Sequence, residues 1–109
     1  MAVEYTELGK TGIRVSRIGL GAWQFSGAWG VTDYERAKSI IAAAIESGVN
    51  LIDTAIVYGR GTSERIVGRA LRDLGISRDS IVIATKIPGE MLRYDDVIKA
   101  TRRSLSRLR

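Results

Sequence analysis

Asn50-Leu51-Ile52-Asp53-Thr54-Ala55-Ile56-Val57-Tyr58-Gly59 decides how this chain folds. From Val49 it is a short apolar run, the pattern of a buried strand, and it stops at a carboxylate. Tyr58 follows in a loop that turns through Gly59-Arg60-Gly61. Asp53 is therefore expected at the carboxyl end of a strand, with Tyr58 above it. A second apolar run, Ile81-Val82-Ile83-Ala84-Thr85, ends the same way at Lys86, and Pro88-Gly89 breaks the chain just beyond. If the two strands lie side by side and parallel, Asp53, Tyr58 and Lys86 converge at one end of the sheet. That is the end where parallel α/β folds place their chemistry.

Helices are expected between and after these strands. Thr32 with Glu35 fits a capping box, and Ala37, Ile40, Ile41, Ala44 and Ile45 form a stripe at helical spacing up to Gly48. Ser63 is read as the cap of a second helix, with Ile66, Val67, Ala70, Leu71 and Leu74 on one face and Gly75 as its stop. A third helix is expected from about Asp95, with Val97, Ile98, Thr101, Leu105 and Leu108 inward. Upstream, Arg17-Ile18-Gly19-Leu20-Gly21 reads as a short strand running into Ala22-Trp23, followed by a loop over 24–31 that holds Trp29. Strand, loop and helix thus recur three times, with units starting near 18, 50 and 81. The period of about 32 residues is that of a βα unit.

The first segment, about residues 3–16, reads as a hairpin: Tyr5-Thr6-Glu7-Leu8 and Ile13-Arg14-Val15-Ser16 flank the turn cluster Gly9-Lys10-Thr11-Gly12. Gly9-Lys10-Thr11 resembles the tail of a phosphate-binding loop, but Glu4 stands where the earlier glycine is required. Gly19-Leu20-Gly21 begins like a dinucleotide fingerprint, yet Gln24 occupies the third glycine position and no helix follows at once. The fold class is therefore α/β: an N-terminal hairpin followed by three βα units of a TIM (β/α)8 barrel, an incomplete barrel over residues 1–109. Eight such units make the typical barrel of about 250 residues. A flavodoxin-like sheet needs more strands and a switch point.

Composition narrows the chemistry. The chain has 109 residues, 45% hydrophobic and 27% charged, ordinary for a globular domain. It has no histidine and no cysteine, which excludes cysteine-based metal sites and removes the commonest metal ligand, and acid–base work falls to carboxylates, tyrosine or lysine. The start, Met1-Ala2-Val3-Glu4, lacks a basic region and an apolar signal core, and no apolar run approaches the roughly 20 residues of a membrane span. A cytoplasmic protein without membrane partners is expected. The net charge of +5 equals the excess at Lys99, Arg102, Arg103, Arg107 and Arg109 on the last helix. Cations at a helix C-terminus are favoured by its dipole, so nucleic acid is not expected as a partner.

With these residues in place, the chain resembles the N-terminal part of the aldo-keto reductases, through the third βα unit. The resemblance is carried by Leu8-Gly9-Lys10-Thr11-Gly12 with Val15-Ser16, Gly19-Leu20-Gly21-Ala22-Trp23, Asp53-Thr54-Ala55 through Tyr58-Gly59, Ser63-Glu64, Val67-Gly68, Ala70-Leu71 and Ala84-Thr85-Lys86. It implies a barrel closed at the bottom by a hairpin and metal-free, NADPH-dependent reduction of aldehyde or ketone carbonyls. It implies roles as well: Tyr58 as proton donor, Lys86 as the cation that lowers the tyrosine pKa, Asp53 as the carboxylate paired with that lysine. Ala22, Trp23 and Asp53 match positions near the nicotinamide of NADP(H). The family's active-site histidine and its phosphate-gripping loops belong to later strands, so weak or no NADP(H) binding and feeble activity are expected of these 109 residues alone.

Two other readings compete. Three parallel strands leave two open edges, so the chain could be a non-catalytic assembly module that self-associates or receives a complementing barrel segment. Its would-be barrel interior is expected to expose apolar side chains such as Leu51 and Ile83 or their neighbours. Alternatively, Lys86 could act as a Schiff-base nucleophile; the neighbouring Asp53 argues against this, since an ion-paired lysine stays protonated.

Overall fold

Parallel strands need crossovers, and the chain supplies them as helices. The computed structural model describes residues 3–27 and 33–109. Strands β1 (Tyr5–Glu7) and β2 (Arg14–Ser16) form an antiparallel hairpin. Strands β3 (Leu20–Gly21), β4 (Leu51–Asp53) and β5 (Val82–Ala84) form a parallel sheet in that order. Helices α1 (Tyr34–Glu46), α2 (Thr62–Asp73) and α3 (Tyr94–Leu108) follow the three strands in turn. The result is the N-terminal hairpin and one three-unit arc of a βα barrel.

Register fixes which side chains share a face. Gly21 and Ala84 lie opposite Asp53, while Leu20 and Ile83 lie opposite Ile52. Ile52 is buried under the helices with Phe25, Ile41, Val67 and Leu71, and Leu20 and Ile83 pack against that cluster. Ile83 is therefore on the helix-covered face, not on the barrel-interior face with Leu51 as expected. Val82 is the residue paired with Leu51.

The hairpin sits at the amino ends of the strands because Asn50 is spent there. Its Oδ1 accepts from the Ser16 N–H (2.6 Å), its own N–H donates to the Ser16 hydroxyl (3.1 Å) and its Nδ2 donates to the Arg14 carbonyl (3.0 Å). The Tyr5 hydroxyl donates to the Gly48 carbonyl. This explains why β4 starts at Leu51 rather than at Val49. Strand β5 is also shorter than the run Ile81–Thr85, since Ile81 closes a short helical turn over Arg78–Ser80.

Helix faces depart from the simplest periodic reading in two places. Ser63 does not cap α2: the cap position is Gly61 at φ +89°, where L side chains are strained, and the Ser63 hydroxyl is used elsewhere. Helix α3 starts at Tyr94 and buries Ala100, Ser104 and Leu108, whereas Thr101 and Leu105 are exposed. The cause is close approach. A Cβ on Gly68 of α2 would lie 2.1 Å from the Arg107 carbonyl oxygen, so the two helices meet nearly backbone to backbone and only small residues fit between them. The cap of α1 among the described residues is Asp33, whose carboxylate accepts from the Glu35 N–H. Thr32 and Trp29 lie outside the described residues.

Candidate active site

The ladder between β4 and β5 continues past both strands. The Thr54 N–H donates to the Ala84 carbonyl (2.8 Å) and the Ile56 N–H to the Lys86 carbonyl (3.2 Å). On the other side the Ala22 N–H donates to the Asp53 carbonyl (2.9 Å). All three carboxyl ends are thus held level. Asp53 lies opposite Ala84, and Lys86 stands two residues beyond Ala84, so both project from the same face.

The two side chains meet there. Lys86 Nζ donates to Asp53 Oδ1 at 2.8 Å and to the Thr54 carbonyl at 2.8 Å. The same ammonium lies 5.3 Å from the centre of the Tyr58 ring, within cation–π range. The pKa of Lys86 is set by a contest. Partial burial pulls it down, but the hydrogen bond and charge of Asp53, with a smaller contribution from Tyr58, push it above its ordinary 10.5. The lysine is therefore a fixed cation at neutral pH. That argues against the Schiff-base reading, which needs a free amine.

Tyr58 owes its place to an unusual turn. Its N–H donates to the Ala55 carbonyl, and the next three residues, Gly59, Arg60 and Gly61, all have positive φ (66°, 53° and 89°). At Gly59 a Cβ would lie 2.6 Å from the Ser26 carbonyl oxygen, so the loop after β4 presses against the short helix Trp23–Ser26. Arg60 bears the left-handed conformation at a cost of about 1 kcal/mol.

The positions expected near a nicotinamide ring divide. Gly21, at the register of Asp53, has no heavy atom within 4 Å of where a Cβ would stand, and the neighbouring Trp23 is half exposed. Open backbone, a partly exposed indole and the Asp53 carboxylate together fit the flat ring of a dinucleotide. Ala22 presents no exposed side-chain surface. Its methyl is fully buried, its N–H is bonded to Asp53 and its carbonyl accepts from the Ser63 hydroxyl.

Sequence reasoning missed the polar layer beneath these residues. Ser63 and Glu64 are fully buried, and Glu64 accepts from Thr85 Oγ1 (2.9 Å) and from Arg107 Nε (2.8 Å). One signal was available: Glu64 stands at helical spacing with Val67 and Leu71, a charge on the apolar stripe of α2.

A model of the aldo/keto reductase family matches residues 17–109. The chain belongs to the aldo/keto reductase family. Its relatives include the aldo-keto reductase YhdN of Bacillus subtilis, 49% identical over 85 residues that cover 77% of this chain and 25% of that protein. A protein of Arabidopsis thaliana described as a "probable voltage-gated potassium channel subunit beta" is 41% identical over 97% of this chain and 34% of its own length. Among solved structures, an aldo-keto reductase from Klebsiella pneumoniae in complex with NADPH superposes with a TM-score of 0.81 at 30% identity, covering 99% of this chain and 36% of the other. The chain spans well under half of each of these family members. The TM-score places its α/β arc within the aldo-keto reductase barrel. Among the described residues, no helix is long and apolar enough to cross a membrane, and no group of three or more carboxylates could hold a metal ion.

The ion pair has a pH signature. A raised lysine pKa contributes stability below 10.5 that is lost as pH rises through the higher folded value; both side chains are about half exposed, so the contribution is small. By side-chain NMR titration, Lys86 is expected to titrate above 10.5 in the protein. In Asp53→Asn, where burial acts with little opposition, it should titrate lower than in the wild type. Identical titration curves for the two proteins would contradict this account of the site.

Proposed function

We propose that these residues form the proton-transfer side of an NADP(H)-dependent reductase of aldehyde and ketone carbonyls, working as part of a complete barrel. The observation that carries the proposal is the Lys86–Asp53 contact of 2.8 Å with the Tyr58 ring 5.3 Å from the same ammonium, at the aligned strand ends. Bound NADPH supplies the hydride. Gly21, Trp23 and Asp53 would hold its reacting ring. Tyr58 gives its phenolic proton to the carbonyl oxygen as the carbonyl carbon is reduced, so the product is an alcohol and the tyrosine is left as a phenolate. Lys86 stands beside that phenolate as a permanent cation, and a positive charge in place before the reaction stabilises charge as it develops. Asp53 and the Thr54 carbonyl take two of the three ammonium protons and so aim the third.

The same proposal includes dependence on further chain. A groove of about 690 Å³ runs between β5 and α3, lined by Ile81, Ile83, Ile87, Leu105 and Ser104. The buried Ser104 hydroxyl has no hydrogen-bond partner among the described residues. Burying such a hydroxyl without a partner is costly, and exposed apolar surface costs about 25 cal/mol per Å². We infer that the remaining units of the barrel seat on this edge, and that the 109-residue protein without them self-associates through it and turns over feebly.

Two measurements check this. In the complete barrel, Tyr58→Phe should lower kcat on an aldehyde by about 10²–10⁴-fold, the usual scale for a lost general acid, with NADPH affinity almost unchanged; a variant of near wild-type rate would end the proton-donor assignment. In sedimentation at high micromolar concentration the 109-residue protein should associate, and a monodisperse monomer would contradict the seating argument.

A further inference from the structure

Two consecutive residues of α2, with no part in the chemistry above, touch every segment that presents a site residue. The Ser63 N–H donates to the Tyr58 carbonyl at 3.1 Å. The Ser63 hydroxyl donates to the Ala22 carbonyl at 2.7 Å. A serine has a single hydroxyl proton, so in the 2.8 Å contact between Ser63 Oγ and Thr54 Oγ1 the threonine is the donor. Glu64 reaches the third strand end, where its Oε2 accepts from the hydroxyl of Thr85, the residue before Lys86. Its other oxygen accepts from Arg107 of α3. One turn of helix therefore grips the chain just before Trp23, just after Asp53, at Tyr58 itself and just before Lys86.

The chemistry of Glu64 is not that of a helix start alone. A fully buried carboxylate is expensive unless it is paired and both oxygens are hydrogen-bonded. An ion pair that only joined α2 to α3 would need one oxygen on Arg107. The second oxygen is turned to the strand end that carries the lysine. Gly61 and Gly68 leave room for this arrangement, since a Cβ at either would meet Arg107, its side chain at the first and its backbone at the second.

We propose that Ser63 and Glu64 form a positioning clamp for the proton-transfer site. The first turn of α2 sets the heights at which Asp53, Tyr58 and Lys86 leave the sheet, and the Glu64–Thr85 bond sets the reach of the Lys86 ammonium. Its effect on rate rests on the reductase reading; its effect on Lys86 does not.

Thr85→Val keeps the shape and the Glu64–Arg107 pair but removes the bond to the strand end, and Thr85→Ser restores it. The first readout is the titration of Lys86 by side-chain NMR in the protein as it stands. Lys86 in Thr85→Val is expected to titrate lower than in the wild type, with recovery in Thr85→Ser. The second readout is steady-state kinetics in the complete barrel. There kcat should fall by about 10- to 100-fold, the scale of a misplacement of about 1 Å, while the KM for the carbonyl substrate stays within about two-fold. Ser63→Ala is the second variant and spares the ion pair. It frees Thr54, whose carbonyl holds Lys86, and should move the lysine titration in the same direction. A wild-type Lys86 titration in a folded Thr85→Val protein, or in Ser63→Ala, refutes the clamp whatever the kinetics. A shifted and rescued titration in a protein that reduces no carbonyl upholds the clamp and overturns the reductase reading.

Discussion

The register between β4 and β5 is the constraint on which the rest depends. With Asp53 opposite Ala84, the residue two places beyond Ala84 must project on the Asp53 side, and that residue is Lys86. A slip of one position would send the ammonium to the helix face and leave the carboxylate alone. The backbone bonds from Thr54 to Ala84 and from Ile56 to Lys86 hold this register past the ends of the strands. The side-chain pair then adds little stability of its own, because both partners are half exposed. It gives the lysine a fixed charge and direction.

Beneath the pair, the helix layer is joined to the sheet by polar groups as well as by the apolar core. Phe25, Ile41, Ile52, Val67 and Leu71 fill the space between sheet and helices without specifying height. Packing of this kind tolerates small shifts; hydrogen bonds to Ala22, Thr54 and Thr85 do not. The buried charge of Glu64 is sustained by Arg107 from the far end of the chain, so the last helix is coupled to the strand that carries Lys86. The close approach at Gly68 is what allows Arg107 to reach.

How much of this was legible follows from the range of each signal. Apolar runs ending at Asp53 and Lys86 are local patterns, and they gave the strands; the parallel pairing on which the meeting of the two charges depends is a long-range fact. The hairpin turn, the helices and the breaks at Gly48 and Gly75 are local as well. The Glu64–Arg107 pair joins residues 43 apart, and nothing near either one announces the other. The inner face of α3 was misread for the same reason. Val97, Ile98 and Leu108 do turn inward, but Thr101 and Leu105 do not, because the approach of α2 selects Ala100 and Ser104 instead. Ser63 looked like a cap because serine before an apolar stripe usually is one; its hydroxyl was drawn to the sheet, and Gly61 took the cap. Ala22 lies between Gly21 and Trp23 in sequence, yet its side chain is fully buried.

The central claim is that Tyr58 and Lys86 act as one unit in proton transfer, and a double-mutant cycle tests it most directly. Tyr58→Phe, Lys86→Met and the double variant would be compared in kcat on one aldehyde at saturating NADPH in the complete barrel. Groups that act as a unit are strongly non-additive. The account predicts that the double variant is no slower than the slower single variant, to within about two-fold. Losses that multiply, so that each substitution costs as much with the other present as alone, would contradict it.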